Sequence, residues 1–154
     1  MRITDFLPEG NCLRGFLSGG KEKILGELCA LVAESGAISG GEEALAAVLA
    51  REKLGSTGIG DEVAIPHAKT AGVKELTGAF GVSKEGVEYF SVDDKPVKLV
   101  FLLLAPENST GAHLKALARV SRLLKSERFR SRMEEAQDPS LIYPILAEED
   151  ENLG

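Results

Sequence analysis

The chain has 154 residues, 44% of them hydrophobic and 27% charged, with 18 Lys and Arg against 24 Asp and Glu for a net charge of −6. That length suits one domain, able to hide roughly 70% of the surface an unfolded chain exposes. The composition excludes wholesale disorder, and the acidic balance argues against a nucleic-acid-binding domain, which needs a clustered basic face. The longest apolar runs, Ala44 to Ala50 and Leu99 to Ala105, fall far short of the ~20 residues of a membrane span. The start, Met1 to Asp5, lacks a signal-peptide pattern, so a cytoplasmic protein without membrane insertion is expected.

Ile24, Leu25, Leu28, Leu31 and Val32 mark one face of a helix from about Lys21 to Glu34. A second helix is expected from about Gly41 to Lys53, with Leu45, Val48 and Leu49 inward. The Ser39 to Glu42 spacing suggests a capping box at its start. Leu76 to Val82 reads as a strand, Gly86 as a turn before Val87 to Phe90, and Val97 to Leu104 as a central strand covered on both faces. Leu114, Leu117, Ala118, Ser121 and Leu124 place a helical stripe after a start that Ser109 or Thr110 can cap. Ser126 can cap a short helix carrying Phe129 and Met133. Asp138-Pro139 can open a last helix, against which Pro144 counts. Residues 1–147 are read as a single domain and 148–154 as a solvated, frayed acidic tail. Helices before and after the strands make a layered α/β class.

Chemistry concentrates in Arg51 to Lys69, which reads REKLGSTGIGDEVAIPHAK. Three glycines between Gly55 and Gly60 permit positive φ and close backbone approach, so Ser56, Thr57, Gly58, Ile59 and Gly60 can cradle an anion. On glycine content alone, an ordinary flexible loop is the commoner reading. Neither a Walker loop nor a dinucleotide fingerprint is present. His67 follows Pro66, which stiffens its approach; a lone histidine is more often structural, but this one has hydroxyls, glycines and Arg51 upstream. Cys12 and Cys29 form no CxxC, and a buried reduced thiol is the ordinary reading of Cys29. With His67 and His113 as the only histidines, no zinc set is visible, and neither metal nor organic cofactor is expected.

The stretch from Arg51 to Lys69 resembles the active-site signature of enzyme IIA domains of the fructose/mannitol class in the bacterial phosphotransferase system, including its nitrogen-regulatory branch. Asp94-Lys95-Pro96-Val97 leading into Leu99 to Pro106 resembles the family's central strand, and His113 to Ala118 its second histidine motif. The resemblance covers about Ile3 to Ala147. It implies a three-layer α/β/α sandwich around a small mixed sheet. It also implies a carrier that accepts a phosphoryl group from the HPr-type phosphocarrier protein on His67, through Nε2. Arg51 and His113 match its other active-site residues, with His113 assisting as a neutral hydrogen-bond donor. Sugar-importing members pass the group to a IIB domain, often to a cysteine; regulatory members signal to protein targets through their phosphorylation state. Arg51 to Thr57 is somewhat closer to the regulatory branch. A non-catalytic scaffold, like the related cytoplasmic domains of anion transporters, is a third reading that the intact histidine motif disfavours.

The chemistry is self-consistent. An imidazole of pKa near ~6.5 is largely neutral at pH 7 and attacks phosphorus without a separate base. Exchange between two histidines needs little driving force, and catalysis reduces to in-line positioning and stabilisation of the equatorial oxygens. One departure stands out: Glu62 occupies a position where the family usually has glycine. It implies either strain at a positive φ or an added negative charge near the anion. The phosphocarrier is expected to dock through apolar contacts around His67, with a basic surface steered in by the net charge.

Overall fold

A computed structural model describes residues 1–154. Two short 3-10 turns, Ile3–Asp5 and Glu9–Asn11, lead into helices α1 (Lys21–Glu34) and α2 (Gly41–Glu52). Strands β1 (Gly58–Gly60), β2 (Val63–Ala64), β3 (His67–Lys69), β4 (Thr77–Val87) and β5 (Val97–Ala105) follow. Helices α3 (Thr110–Leu124), α4 (Glu127–Glu135) and α5 (Ile142–Asn152) close the chain.

The five strands form one mixed sheet built on β5. β4 pairs antiparallel along one edge of β5, with Phe80 opposite Phe101. Along the other edge β2 and β3 pair in parallel, Val63 with Leu99 and His67 with Leu103. They are two pieces of one line, broken at Ile65-Pro66. Proline has no N–H to give a ladder, yet its carbonyl accepts from Leu103 N at 2.9 Å. The outer edge of β4 is followed by the N-terminal segment: Gly78 N donates to Phe6 O, Leu13 N to Phe80 O and Leu17 N to Val82 O.

β5 is buried almost throughout, as its apolar run requires, and separates two cores. Leu99, Phe101 and Leu103 pack with Phe80 under α3, α4 and α5, through Val120, Phe129 and Leu146 among others. Val100, Leu102 and Leu104 pack under α1 and α2, through Leu25, Leu28 and Val48. The result is a three-layer α/β/α sandwich. Both cysteines are free and buried, and burial pushes each thiol up to about 12.

Several local expectations are corrected. No capping box forms: the Ser39 hydroxyl lies against Gly72 O, and the N-cap of α2 is Gly40 without a side-chain bond. β4 runs unbroken through Gly86, whose φ of +89° falls in a register shift between Val82 and Val87. The buried stripe of α3 is Ala116, Val120, Leu123 and Leu124, while Leu114 is 62% exposed. Pro144 sits in the first turn of α5, where its missing N–H would have had no helical acceptor. The acidic end is not a loose tail, because α5 continues to Asn152 and buries Glu149 and Asp150. Asp150 is fully buried and paired to Arg119 at 2.8 Å, and Glu149 is paired to Arg132 at 2.8 Å. No helix is long and apolar enough to cross a membrane.

Candidate active site

β3 is an edge strand, so its first residue, His67, is reached from both helical layers. α2 contributes Ala47 and Arg51; α3 contributes Thr110, His113, Leu114 and Leu117. Together with His67, Ala68 and Lys69 they enclose a cavity of about 390 Å³. The three residues expected to perform the chemistry, His67, His113 and Arg51, are therefore brought together from sequence separations of up to 62 residues.

The histidine rings meet edge to face, with centroids 5.6 Å apart and planes at 84°. His67 Nδ1 lies 2.7 Å from the carbonyl oxygen of Ile65. A carbonyl only accepts, so Nδ1 carries the proton and Nε2 keeps its lone pair. The stiff Ile65-Pro66 step presents that carbonyl.

His113 is buried, and its Nδ1 has no partner. An orphaned N–H is rarer in proteins than an orphaned acceptor, so the ring's proton belongs on Nε2. Burial, then the neighbouring His67, then Lys69 push His113 down to about 4. It is neutral at pH 7.

Two cations and no carboxylate line the cavity. Arg51 Nη1 donates to Gly55 O at 2.8 Å, leaving Nε and Nη2 for other acceptors. Lys69, which the sequence reading passed over, donates through Nζ to Thr110 Oγ1 at 3.2 Å. Its place two residues after His67 on an alternating strand was the available signal. The immediate lining is thus positive although the chain is acidic overall. At the start of α3, the Ser109 hydroxyl donates to Pro106 O and caps nothing. The backbone N–H groups of the first turn stay free, a favourable place for an anion.

The segment Ser56 to Gly60 has a different use from the cradle expected of it, and none of its residues lines the cavity. Gly58 and Gly60 are in β1, paired with β2. Thr57 is buried and donates to Glu52 through both its backbone N and its hydroxyl. Ser56 Oγ donates to Tyr89 O. A side chain at Gly58 would collide with Ser91, so glycine here serves close packing.

Glu62 lies in the β1–β2 turn, where Asp61 and Glu62 have φ of +56° and +66°. Two consecutive positive φ values make a type I′ hairpin turn, which explains why glycine suits the second position. The turn sits beside Lys98 and Leu99 at the start of β5, whereas His67 pairs with Leu103. Glu62 pays strain and lies away from the histidines. No group of three or more His, Cys, Asp or Glu side chains converges to hold a metal ion.

The family profile described as "Phosphoenolpyruvate-dependent sugar phosphotransferase system, EIIA 2" matches residues 11–149. The chain is 39% identical over 150 residues to the PTS system fructose-specific EIIABC component of Bacillus subtilis, covering 97% of this chain but only 24% of that relative. It is 39% identical over 149 residues to a nitrogen regulatory protein of Bradyrhizobium diazoefficiens, covering 96% and 95% of the two chains. The crystal structure of nitrogen regulatory protein IIA-Ntr from Neisseria meningitidis superimposes with a TM-score of 0.84 at 35% identity, over 94% of this chain and 98% of that one. With its sheet, its paired histidines and these matches along nearly its whole length, the chain belongs to the EIIA 2 family of the phosphotransferase system.

Proposed function

We propose that this chain is a phosphoryl carrier that accepts a phosphoryl group on His67 Nε2 from phosphohistidine on an HPr-type carrier protein. We further propose that it signals through its phosphorylation state in the nitrogen-regulatory manner. The observation that carries the reading is the 2.7 Å contact of His67 Nδ1 with Ile65 O. It leaves the nucleophilic lone pair on Nε2 of a histidine that lines a cavity with two cations. The donor's P–N bond breaks, its electron pair returns to the donor imidazole, and a P–Nε2 bond forms. Neither Arg51 nor Lys69 need exchange a proton; they offset the charge of the equatorial oxygens, with His113 Nε2–H and the first turn of α3 as donors. Leu114, exposed at the rim, offers apolar contact to an approaching carrier.

The sugar-import reading, in which the group passes on to a IIB cysteine, is supported by the equal identity to the fructose-specific relative. Incubation with phosphoenolpyruvate, enzyme I and HPr should give an acid-labile, base-stable phosphoryl group that His67→Ala abolishes. His113→Ala should slow labelling on the order of 100-fold while still reaching one group per chain. Labelling of His67→Ala would refute the assignment. Discharge onto an added fructose-type IIB domain would favour sugar import, and retention would favour regulation.

A further inference from the structure

The GST segment of the signature does not line the cavity, and its hydrogen bonds point to another task. Glu52, the last residue of α2, has a carboxylate only 5% exposed. It accepts from Lys21 Nζ at 2.8 Å, Thr57 N at 3.2 Å, Tyr89 OH at 3.0 Å and the Thr57 hydroxyl. Thr57 Oγ1 and Tyr89 OH are themselves 3.0 Å apart. Lys21 Nζ also donates to Tyr89 O at 3.1 Å and lies 4.2 Å from the centre of the Tyr89 ring. Every polar atom of this buried group has a partner.

We propose that Glu52, Thr57, Tyr89 and Lys21 form a clip that holds the Arg51 guanidinium at the mouth of the His67 cavity, making Glu52 and Thr57 positioning residues for phosphoryl transfer. The inference rests on the reading that Arg51 faces the phosphoryl group on His67. Its geometry is a chain of short links. The carboxylate fixes Thr57; Gly55 lies within the span from Glu52 to Thr57; and the Gly55 carbonyl holds Arg51 Nη1 at 2.8 Å. Last turns of helices fray, and an arginine on a frayed turn would sweep a wide volume. A buried ion pair is a weak source of stability compared with apolar packing. What this one supplies is a fixed carbonyl for Arg51, and through it a fork whose remaining nitrogens keep one orientation. Placement of that kind governs the transition state more than the encounter with the donor.

The test is a double-mutant cycle between Thr57→Val and Arg51→Ala, read as His67 phosphorylation from phospho-HPr. Thr57→Val should lower the rate at saturating donor about tenfold and leave the half-saturating concentration nearly unchanged. Thr57→Ser should restore the rate. In the Arg51→Ala background, Thr57→Val should have almost no further effect. A wild-type rate in folded Thr57→Val, or effects of the two changes that simply multiply, would overturn the clip. Should Thr57→Val fail to fold, Tyr89→Phe, which removes one hydroxyl from the same carboxylate, replaces it in the cycle with the same two outcomes. The Arg51 Nη1–H resonance, whose proton is held by the Gly55 carbonyl, supplies a readout that needs no phosphoryl donor. It should be resolved in the wild type and averaged by rotation of the guanidinium in Thr57→Val, and an unchanged signal would refute the proposal. Absence of labelling in the wild type would instead refute the carrier reading, with the resonance still deciding the clip.

Discussion

Replacing His113 with glutamine should flatten the dependence of stability on pH between pH 7 and pH 5. The folded protein holds His113 down to about 4, chiefly through burial and then through His67 and Lys69. The unfolded chain returns it to its ordinary value near ~6.5. As pH falls through that value, the unfolded state takes up a proton that the folded state refuses. The stability is therefore complete above ~6.5 and drains away toward the folded value. Linkage gives a loss of about 2 kcal/mol between pH 7 and pH 5, rising to about 3 kcal/mol below pH 4. Glutamine is similar in reach, keeps an amide donor and does not titrate. Glu52 does not confuse the window: burial raises its carboxyl, but the bonds from Lys21 and Thr57 outweigh that and hold it below its ordinary value, so it stays ionised at pH 5. The assay is urea unfolding of both proteins at both pH values, where 2 kcal/mol moves a midpoint by about 1 M. A wild type and a variant that lose the same stability between the two pH values would refute the reasoning.

Asp150→Ala should cost about 3 kcal/mol, because it strands the nearly buried Arg119 guanidinium and the Thr4 N–H that the carboxylate accepts from; Glu148→Ala, at an exposed carboxylate, should change the unfolding midpoint little. Glu62→Gly should raise stability by about 0.5–1 kcal/mol, since relief of the +66° φ exceeds the loss of a half-exposed contact with Lys98. Thermal unfolding would register this as a gain of about 2 °C, and a lower melting temperature would contradict the strain argument.

Elements dictated by a long repeating signal were legible in the sequence. β5 is a continuous apolar run because both its faces are covered, and α1 has the bounds its periodicity implies. β2 and β3, with two and three residues, are too short to carry a period, so their parallel alignment on β5 could not be read. The α3 stripe was displaced because two demands share that helix: Val120 and Leu124 face the core, Leu114 faces the cavity, and Leu117 lies between, against both. Composition misled at the acidic end, where the partners of Glu149 and Asp150 are arginines from α3 and α4, far earlier in the chain. The histidines, by contrast, stood out through their motifs. The role of Ser56 and Thr57 did not, because glycine and hydroxyl content describe a phosphate cradle and a packed loop alike.

The N-terminal segment alongside β4 settles what kind of object the sheet is to other molecules. A strand as long as β4 with a bare outer edge would be an invitation to add strands from a neighbour, and so to aggregate. Here residues from Phe6 to Leu17 occupy that edge through scattered bonds and a single isolated bridge, Cys12 to Phe80, without becoming a strand themselves. Pro8 and the turn at Glu9–Asn11 keep the segment too irregular to template a further one. The border of the sheet is therefore finished on the side remote from the histidines, and its open edge lies at β3, the side from which the carrier proposed above would reach His67.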